Sequence, residues 1–116
     1  MKHLIVSLIV MSAFLSGCVK ETGIGTIGIT VVNDNGIPIQ NCSIVLEAPV
    51  DGSYQLYGHT DINGYIEFKS KLHVFYDVVV WKGLWLGCDF VEIKPGESRT
   101  KNVIIYSPGT ELNGCI

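Results

Sequence analysis

Four cysteines carry the side chains with the most versatile chemistry in this sequence, at positions 18, 42, 88 and 115. A thiol can act as a nucleophile beside a histidine, bind a metal when clustered, or pair with another thiol in an oxidising compartment. Metal binding needs a close pair such as C-x-x-C or a group of histidines, and this sequence has neither. We therefore expect no metal site and no cofactor, which leaves covalent chemistry for the thiols.

The residues before the first cysteine predict an export signal. Met1-Lys2-His3 is a short positive start, and an apolar run of twelve residues follows from Leu4 to Leu15. This run is too short for a helix that spans a bilayer, which needs about 20 residues, but it has the length of a signal-peptide core. The alternative, a buried N-terminal helix, finds no second helix downstream to pack against. We expect residues 1–17 to be a signal peptide.

The apolar run ends in Leu15-Ser16-Gly17-Cys18, which resembles the lipobox of prokaryotic lipoproteins at all four positions. The resemblance implies that the Cys18 thiol is alkylated with diacylglycerol and that a signal peptidase cuts just before it. Two or more acyl chains would then hold the protein stably on a membrane. Val19 stands where an aspartate often retains lipoproteins in the inner membrane, so the resemblance leans toward the outer membrane. The expected location is exported and lipid-anchored to the cell membrane or outer membrane.

Three cysteines remain once Cys18 is assigned to lipid, and an oxidising compartment would allow one pair of them to form a disulfide. We favour Cys88–Cys115, because this pair would tie the C-terminal tail to the domain. Cys42–Cys88 stays open as a second pairing. The arrangement in which the thiols are free and buried also stays open.

The chain after Cys18 has the composition of a β-protein, since Val, Ile and Thr are abundant and Ala48 is its only alanine. Alternating apolar residues, separated by turns rich in Asn, Asp, Gly and Pro, predict seven strands. These are expected at about 25–33, 42–48, 54–60, around Ile66 and Phe68, 74–82, up to Ile93, and 100–106. The spacing predicts an all-β fold, a seven-stranded antiparallel β-sandwich over residues 25–106, with a tether at 18–24 and a tail at 107–116.

The turns of this predicted sandwich are similar to those of a known group of domains. VVNDNGIPI at residues 31–39, TDINGYIEF at residues 60–68 and Pro95-Gly96-Glu97 resemble the carboxypeptidase regulatory-like domain, a prealbumin-like (transthyretin-like) sandwich, and the similar Cna B-type modules. The resemblance covers residues 25–106 and implies a fold more than a function. Lys82-Gly83-Leu84-Trp85 departs from it, because the group usually has Gly-Tyr or Gly-Phe after the fifth strand.

No spacing in the chain indicates a catalytic set. His59 and His73 have Asp61 and Asp77 nearby in sequence, but no serine or cysteine is placed with them as a nucleophile. The transthyretin-like hydroxyisourate hydrolases use histidine and arginine at a dimer interface and end in Tyr-Arg-Gly-Ser. This chain has a single arginine, Arg99, and a different C-terminus. We expect no enzyme activity, and a small transthyretin-like hydrolase is the least favoured function.

Two further ligand classes are disfavoured. Asp61, Asn63 and Glu67 match part of a calcium loop but lack its remaining ligands, and a tight hairpin turn explains them better. The formal net charge is −3, which offers no basic surface to a nucleic acid.

Aromatic residues on and around the fifth strand are the remaining candidates for binding. If Tyr76, Val78 and Val80 point inward, Phe75 and Trp81 point outward, so the strand is apolar on both sides. Either the tail or a loop covers this side, or a partner does. The candidate surface consists of Phe75, Trp81, Trp85, Tyr54 and Tyr57. We expect a lipid-anchored, non-catalytic envelope protein that contacts an unknown envelope protein, and a carbohydrate-binding module that contacts a glycan is the alternative.

Overall fold

The computed structural model describes residues 23–49, 54–110 and 113–115, and within these ranges the fold is all-β. No helix occurs in these ranges, and therefore none that is long and apolar enough to cross a membrane. The predicted strand ends agree with the structure to within two residues. The seven strands are β1 (Gly25–Asn33), β2 (Ser43–Ala48), β3 (Tyr54–His59), β4 (Tyr65–Ser70), β5 (Val74–Lys82), β6 (Trp85–Ile93) and β7 (Ser98–Ile105). The expected signal peptide and Cys18 lie outside the described residues.

The strands form two sheets that face each other as in a β-sandwich. One sheet has the order β4-β1-β7 and the other has the order β3-β2-β5-β6. The prediction of an entirely antiparallel arrangement is wrong, because β1 and β7 are parallel. β6 ends at the same end of the domain where β1 begins, so β7 leaves the turn at residues 94–97 in the direction of β1. Alternation of apolar residues does not encode this direction.

The two ends of the sandwich are named here by their connections. The base is the end where β1 begins, and it carries the connections between β2 and β3, β4 and β5, and β6 and β7. The tip is the opposite end, and it carries the loop at residues 34–42 and the two turns at residues 60–64 and 83–84. The chain therefore enters the domain from the base.

The core lies between the two sheets and is formed by the residues that alternate inward. Its fully buried members include Ile27, Ile29, Val31, Ile44, Leu46, Tyr76, Val78, Val80, Ile93 and Val103. A polar contact in this layer joins the hydroxyl groups of Ser70 and Tyr76 at 2.7 Å, so neither oxygen is buried without a partner. Burial raises the pKa of the Tyr76 hydroxyl, although its hydrogen bond to Ser70 partly offsets this.

The sheets meet along one side, where β6 approaches the end of β7. Leu86 and Tyr106 exchange backbone hydrogen bonds of 3.0 and 2.9 Å across this gap. Gly87 makes the approach feasible, because a Cβ at this position would collide with the carbonyl oxygen of Ile104. The opposite side of the sandwich, between β3 and β4, has no such closure among the described residues.

Candidate partner-binding face

The outer face is defined here as the side of β3, β2, β5 and β6 that turns away from the core. Phe75, Val79 and Trp81 lie on it because they alternate along β5 with fully buried residues. The described part of the tail runs beside β6, where the Cys88 N–H donates to the Asn113 carbonyl at 2.9 Å. The tail therefore leaves Phe75 with 54% of its surface exposed. Strand five is therefore apolar on both sides, as expected. Val79 and Trp81 are half-buried on this side, and the tail is attached through Cys88, which lies opposite Val79.

An aromatic pair occupies the outer face toward the tip. The ring centroids of Tyr57 and Trp81 are 6.3 Å apart. Val45 lies between Tyr57 and Val79 in the strand register, so the two rings border a strip of apolar side chains. His59 meets Tyr57 edge-on, and the Tyr57 hydroxyl lies 3.1 Å from His59 Nε2. The planes of Tyr57 and Trp81 are inclined by 42°, so they do not form a flat platform for a sugar ring.

A second aromatic pair lies on the outer face toward the base. Phe75 and Phe90 have ring centroids 6.3 Å apart, and more than half of each side chain is exposed. Lys101 Nζ lies 5.3 Å from the centroid of the Phe90 ring, a distance at which a cation is attracted to the π-electrons. Sequence reasoning missed Phe90. The signal was available, because Val91 and Ile93 as inward residues of β6 require Phe90 to point outward.

Two carboxylates face each other between the aromatic pairs. Glu47 on β2 lies directly opposite Asp77 on β5, and both are exposed. No ion pair within the described residues involves either of them. Like charges in this position repel each other across the sheet. A cation from outside the described chain would relieve that repulsion.

Two of the five predicted aromatic residues do not belong to the outer face. Trp85 lies opposite Lys82 in the β5–β6 pair and therefore turns toward the inner side, at the tip. It lines an apolar cleft of about 420 Å³ together with Ile39 and Ile105. Tyr54 lies opposite Ala48 at the base, with its ring 6.5 Å from that of the buried Tyr76. The prediction that these residues share one surface with Trp81 is therefore wrong.

The cysteines have separate roles in the structure. Cys88 and Cys115 form a disulfide with a Cα–Cα distance of 4.8 Å, which attaches the tail to β6. Cys42 is free and fully buried on the inner side of the sheet. Burial raises the pKa of its thiol to about 11, so the nucleophilic thiolate is scarce at neutral pH. Cys18, the predicted site of lipidation, is outside the described residues.

The histidines and the hairpin turn do not assemble into a reactive site. His59 ends β3 at the tip, whereas His73 precedes β5 at the base and lies 3.5 Å from Glu92. Asp61 Oδ1 accepts hydrogen bonds from the backbone N–H groups of Asn63 and Tyr65 at 2.8 and 3.0 Å, as expected of a hairpin turn. No group of three potential metal ligands exists in the described part of the chain.

The outer face combines aromatic rings with acidic side chains, an arrangement suited to binding. Aromatic rings and the carboxylates of Glu47 and Asp77, which form no ion pair within the described residues, share one sheet. The free thiol is buried and the histidines are far apart. In comparisons with known proteins, no protein-family model matches this chain and no curated protein is significantly similar to it.

Proposed function

We propose that this protein is a lipid-anchored component of the cell envelope whose non-catalytic, prealbumin-like domain binds a partner protein through the outer face. The observation that carries the proposal is the composition of that face. Two aromatic pairs, Tyr57–Trp81 and Phe75–Phe90, flank Glu47 and Asp77, whose carboxylates have no cationic partner among the described residues. Three of the four rings are exposed, and Trp81 is half-buried. Exposed apolar clusters of this kind on a small domain mark interaction sites.

The proposed anchor determines how the domain is presented. Leu15-Ser16-Gly17-Cys18 supports lipidation of Cys18, and β1 begins only seven residues later, at Gly25. A tether of this length spans at most about 25 Å when fully extended. The base would therefore be held close to the membrane, and the outer face would be accessible from the side.

The side chains of the outer face indicate what kind of partner it would bind. The strip bounded by Tyr57, Val45, Val79 and Trp81 suits an apolar patch, because aromatic residues are frequent hot spots in interfaces. The carboxylates of Glu47 and Asp77 suit a lysine or arginine beside that patch, since charge complementarity selects partners and speeds association. We propose a partner with an apolar contact region bordered by basic side chains.

The two alternative functions have less support from the geometry. A sugar-binding site is favoured by coplanar rings, whereas the Tyr57 and Trp81 planes are inclined by 42°. A hydrolase needs a nucleophile near a base, but Cys42 is buried with a raised thiol pKa. The carbohydrate alternative is a distinguishable outcome of the cross-linking experiment.

The anchor is tested by intact mass. Protein extracted from membranes should begin at Cys18 and carry the mass of two or three acyl chains. The Cys18→Ala variant should keep its signal peptide and carry no lipid mass. Native protein without lipid mass, or with an N-terminus before Cys18, would contradict the lipid anchor.

The outer face is tested by cross-linking in intact cells. Lipidated wild-type protein should give a defined cross-linked partner that Trp81→Ala loses, because the variant removes one ring of the Tyr57–Trp81 pair. Leu84→Ala is the matched control, since Leu84 is 81% exposed but lies on the turn at the tip. A partner retained equally by both variants would contradict binding through the outer face. Loss of the partner on glycosidase treatment would favour the carbohydrate alternative.

A further inference from the structure

β3 is an edge strand, and its sequence lacks the residues that usually prevent another strand from pairing with an edge. Residues Tyr54–His59 read YQLYGH and contain no Lys, Arg, Asp, Glu or Pro. Natural sheet edges are usually protected by charged residues, proline, bulges or a covering segment. The unprotected edge also borders the outer face, because Tyr57 belongs to both.

The backbone of β3 has a defined set of free hydrogen-bonding groups. Thr60 N–H donates to the Cys42 carbonyl at 3.0 Å, which establishes which residues of β3 bond to β2. Because bonded and non-bonded pairs alternate in antiparallel sheets, Gln55, Tyr57 and His59 turn their N–H and C=O groups away from β2. Among the described residues, none donates to or accepts from these groups.

The other three edges are protected. β6 is covered by backbone hydrogen bonds from Tyr106 and Asn113. β4 and β7 carry charged residues, which oppose edge-to-edge pairing. These charged residues are Glu67 and Lys69 on β4, and Arg99 and Lys101 on β7.

The inner side of the open edge is apolar and incompletely covered. Leu56 on β3 and Ile66 on β4 pack against the core, yet both are only half-buried. Gly58 has no side chain to shield them, and a Cβ there would collide with Ile66 Cδ1. An added strand would place its inward side chains over Leu56 and Ile66.

We propose that β3 accepts an extended segment of the partner protein as a fifth strand of the β3-β2-β5-β6 sheet. Main-chain hydrogen bonds to Gln55, Tyr57 and His59 would provide affinity, and the alternating side chains would provide specificity. On the inner side, apolar residues of the added strand would face Leu56. On the outer side, a long basic residue of the added strand beside Gln55 could reach across it to Glu47, which pairs with Gln55 from β2. This inference deepens the proposed function, because it states how the partner engages the outer face.

A second copy of the chain fits the edge less well than a foreign segment. Two copies that pair through β3 in antiparallel fashion would place their bases at opposite ends of the joint sheet. The proposed lipid anchors leave from the bases, so one bilayer could not hold both copies upright. Parallel pairing would turn the outer face of one copy to the inner side of the other.

The test measures amide exchange by NMR on the full lipidated chain in detergent micelles. The probe is the synthetic peptide Lys-Val-Thr-Val-Lys-Val-Thr at millimolar concentration, which as a strand places its valines on one side and its lysines on the other. Exchange at Gln55, Tyr57 and His59 should slow about tenfold or more, while Glu67 on the protected β4 edge is unchanged. The same peptide with alternate N-methyl groups should have no effect. Unchanged exchange at the three β3 amides, or slowing at Glu67 instead, would overturn the proposal.

Variants separate backbone from side-chain effects. Tyr57→Pro removes the outward N–H and should abolish the slowing, whereas Tyr57→Phe keeps the N–H and should preserve it. Proline is tolerated at edge positions whose N–H faces solvent, and Gln55→Pro serves if the first variant fails to fold. In the absence of peptide, a second copy of the chain could protect the β3 amides from exchange. Protection that grows as the protein concentration rises would overturn the foreign-segment proposal in favour of self-pairing. Intact mass tests the anchor separately, so the two failures are distinguishable.

Discussion

The two sides of β5 have similar apolar content but different surroundings. Tyr76, Val78 and Val80 point inward and are fully buried, whereas Phe75 and Trp81 point outward and keep part of their surface exposed. The inward residues face a second sheet, whereas no sheet within the described part of the chain faces the outward ones. Hydrophobicity alone therefore does not distinguish a core from a binding surface. The distinction depends on what lies opposite, which is a property of topology.

Polar groups differ between the two sides in the same way. On the inner side, the hydroxyl groups of Ser70 and Tyr76 satisfy each other. On the outer side, Glu47 and Asp77 face each other with no cation among the described residues. The inner side is optimised for folding, whereas the outer side retains an unfavourable pair. Such a pair is understandable if it serves binding.

The largest expected effect comes from adjacent residues of β2 that point in opposite directions. Ile44 is fully buried, and Ile44→Ala should lower the free energy of unfolding by about 3 to 4 kcal/mol through lost burial and a cavity. Val45 lies on the outer face, and Val45→Ala should cost less than about 1 kcal/mol. Urea titrations followed by circular dichroism measure both. Equal losses would mean that the outer face is covered like the core.

The second prediction concerns the disulfide that holds the tail beside β6. Cys88→Ser with Cys115→Ser should lower the free energy of unfolding by about 3 kcal/mol, because the bridge closes a segment with a separation of 27 residues. Thermal unfolding of the double variant and of wild-type protein with and without reductant measures the loss. Loss of partner binding along with stability would show that the tail also contributes to the outer face. Unchanged stability would contradict the structural role of the bridge.

Much of this arrangement was predictable from sequence, and the failures have physical causes. Alternation located the strands and the outward position of Trp81. The position of Trp85 depends on the two-residue turn at Gly83 and Leu84, which returns the chain with Lys82 and Trp85 on the same side. The pair formed by Glu47 and Asp77 depends on pairing between distant strands, and a single sequence does not encode that register.

The third prediction uses the pH dependence of stability to test whether water reaches the Cys42 thiol on the inner side. Burial raises its thiol pKa to about 11 from an ordinary value of 9.0. Above pH 9 the unfolded chain releases the thiol proton while the folded chain keeps it. The free energy of unfolding is therefore unaffected by this thiol below pH 9 and falls as the pH rises toward 11. Over this pH range, the free energy of unfolding should fall by about 2 kcal/mol more in wild-type protein than in Cys42→Ala. Parallel pH profiles would mean that water reaches the thiol.

The smallest expected effect tests whether the outer side sacrifices stability for binding. Glu47→Gln removes one of two like charges but keeps the shape of the side chain, so it should raise the free energy of unfolding by about 0.5 kcal/mol. Salt screens surface charges, so the gain should shrink at about 1 M salt. Lys69→Gln is the matched control, because Lys69 already lies 3.7 Å from Glu67 and its loss should not stabilise the domain.

Binding of a basic partner should weaken in Glu47→Gln even as the domain becomes more stable. A variant that is more stable and binds equally well would leave the carboxylate pair without a role in recognition. Opposite changes in stability and binding would show that the unfavourable pair is relieved by the partner.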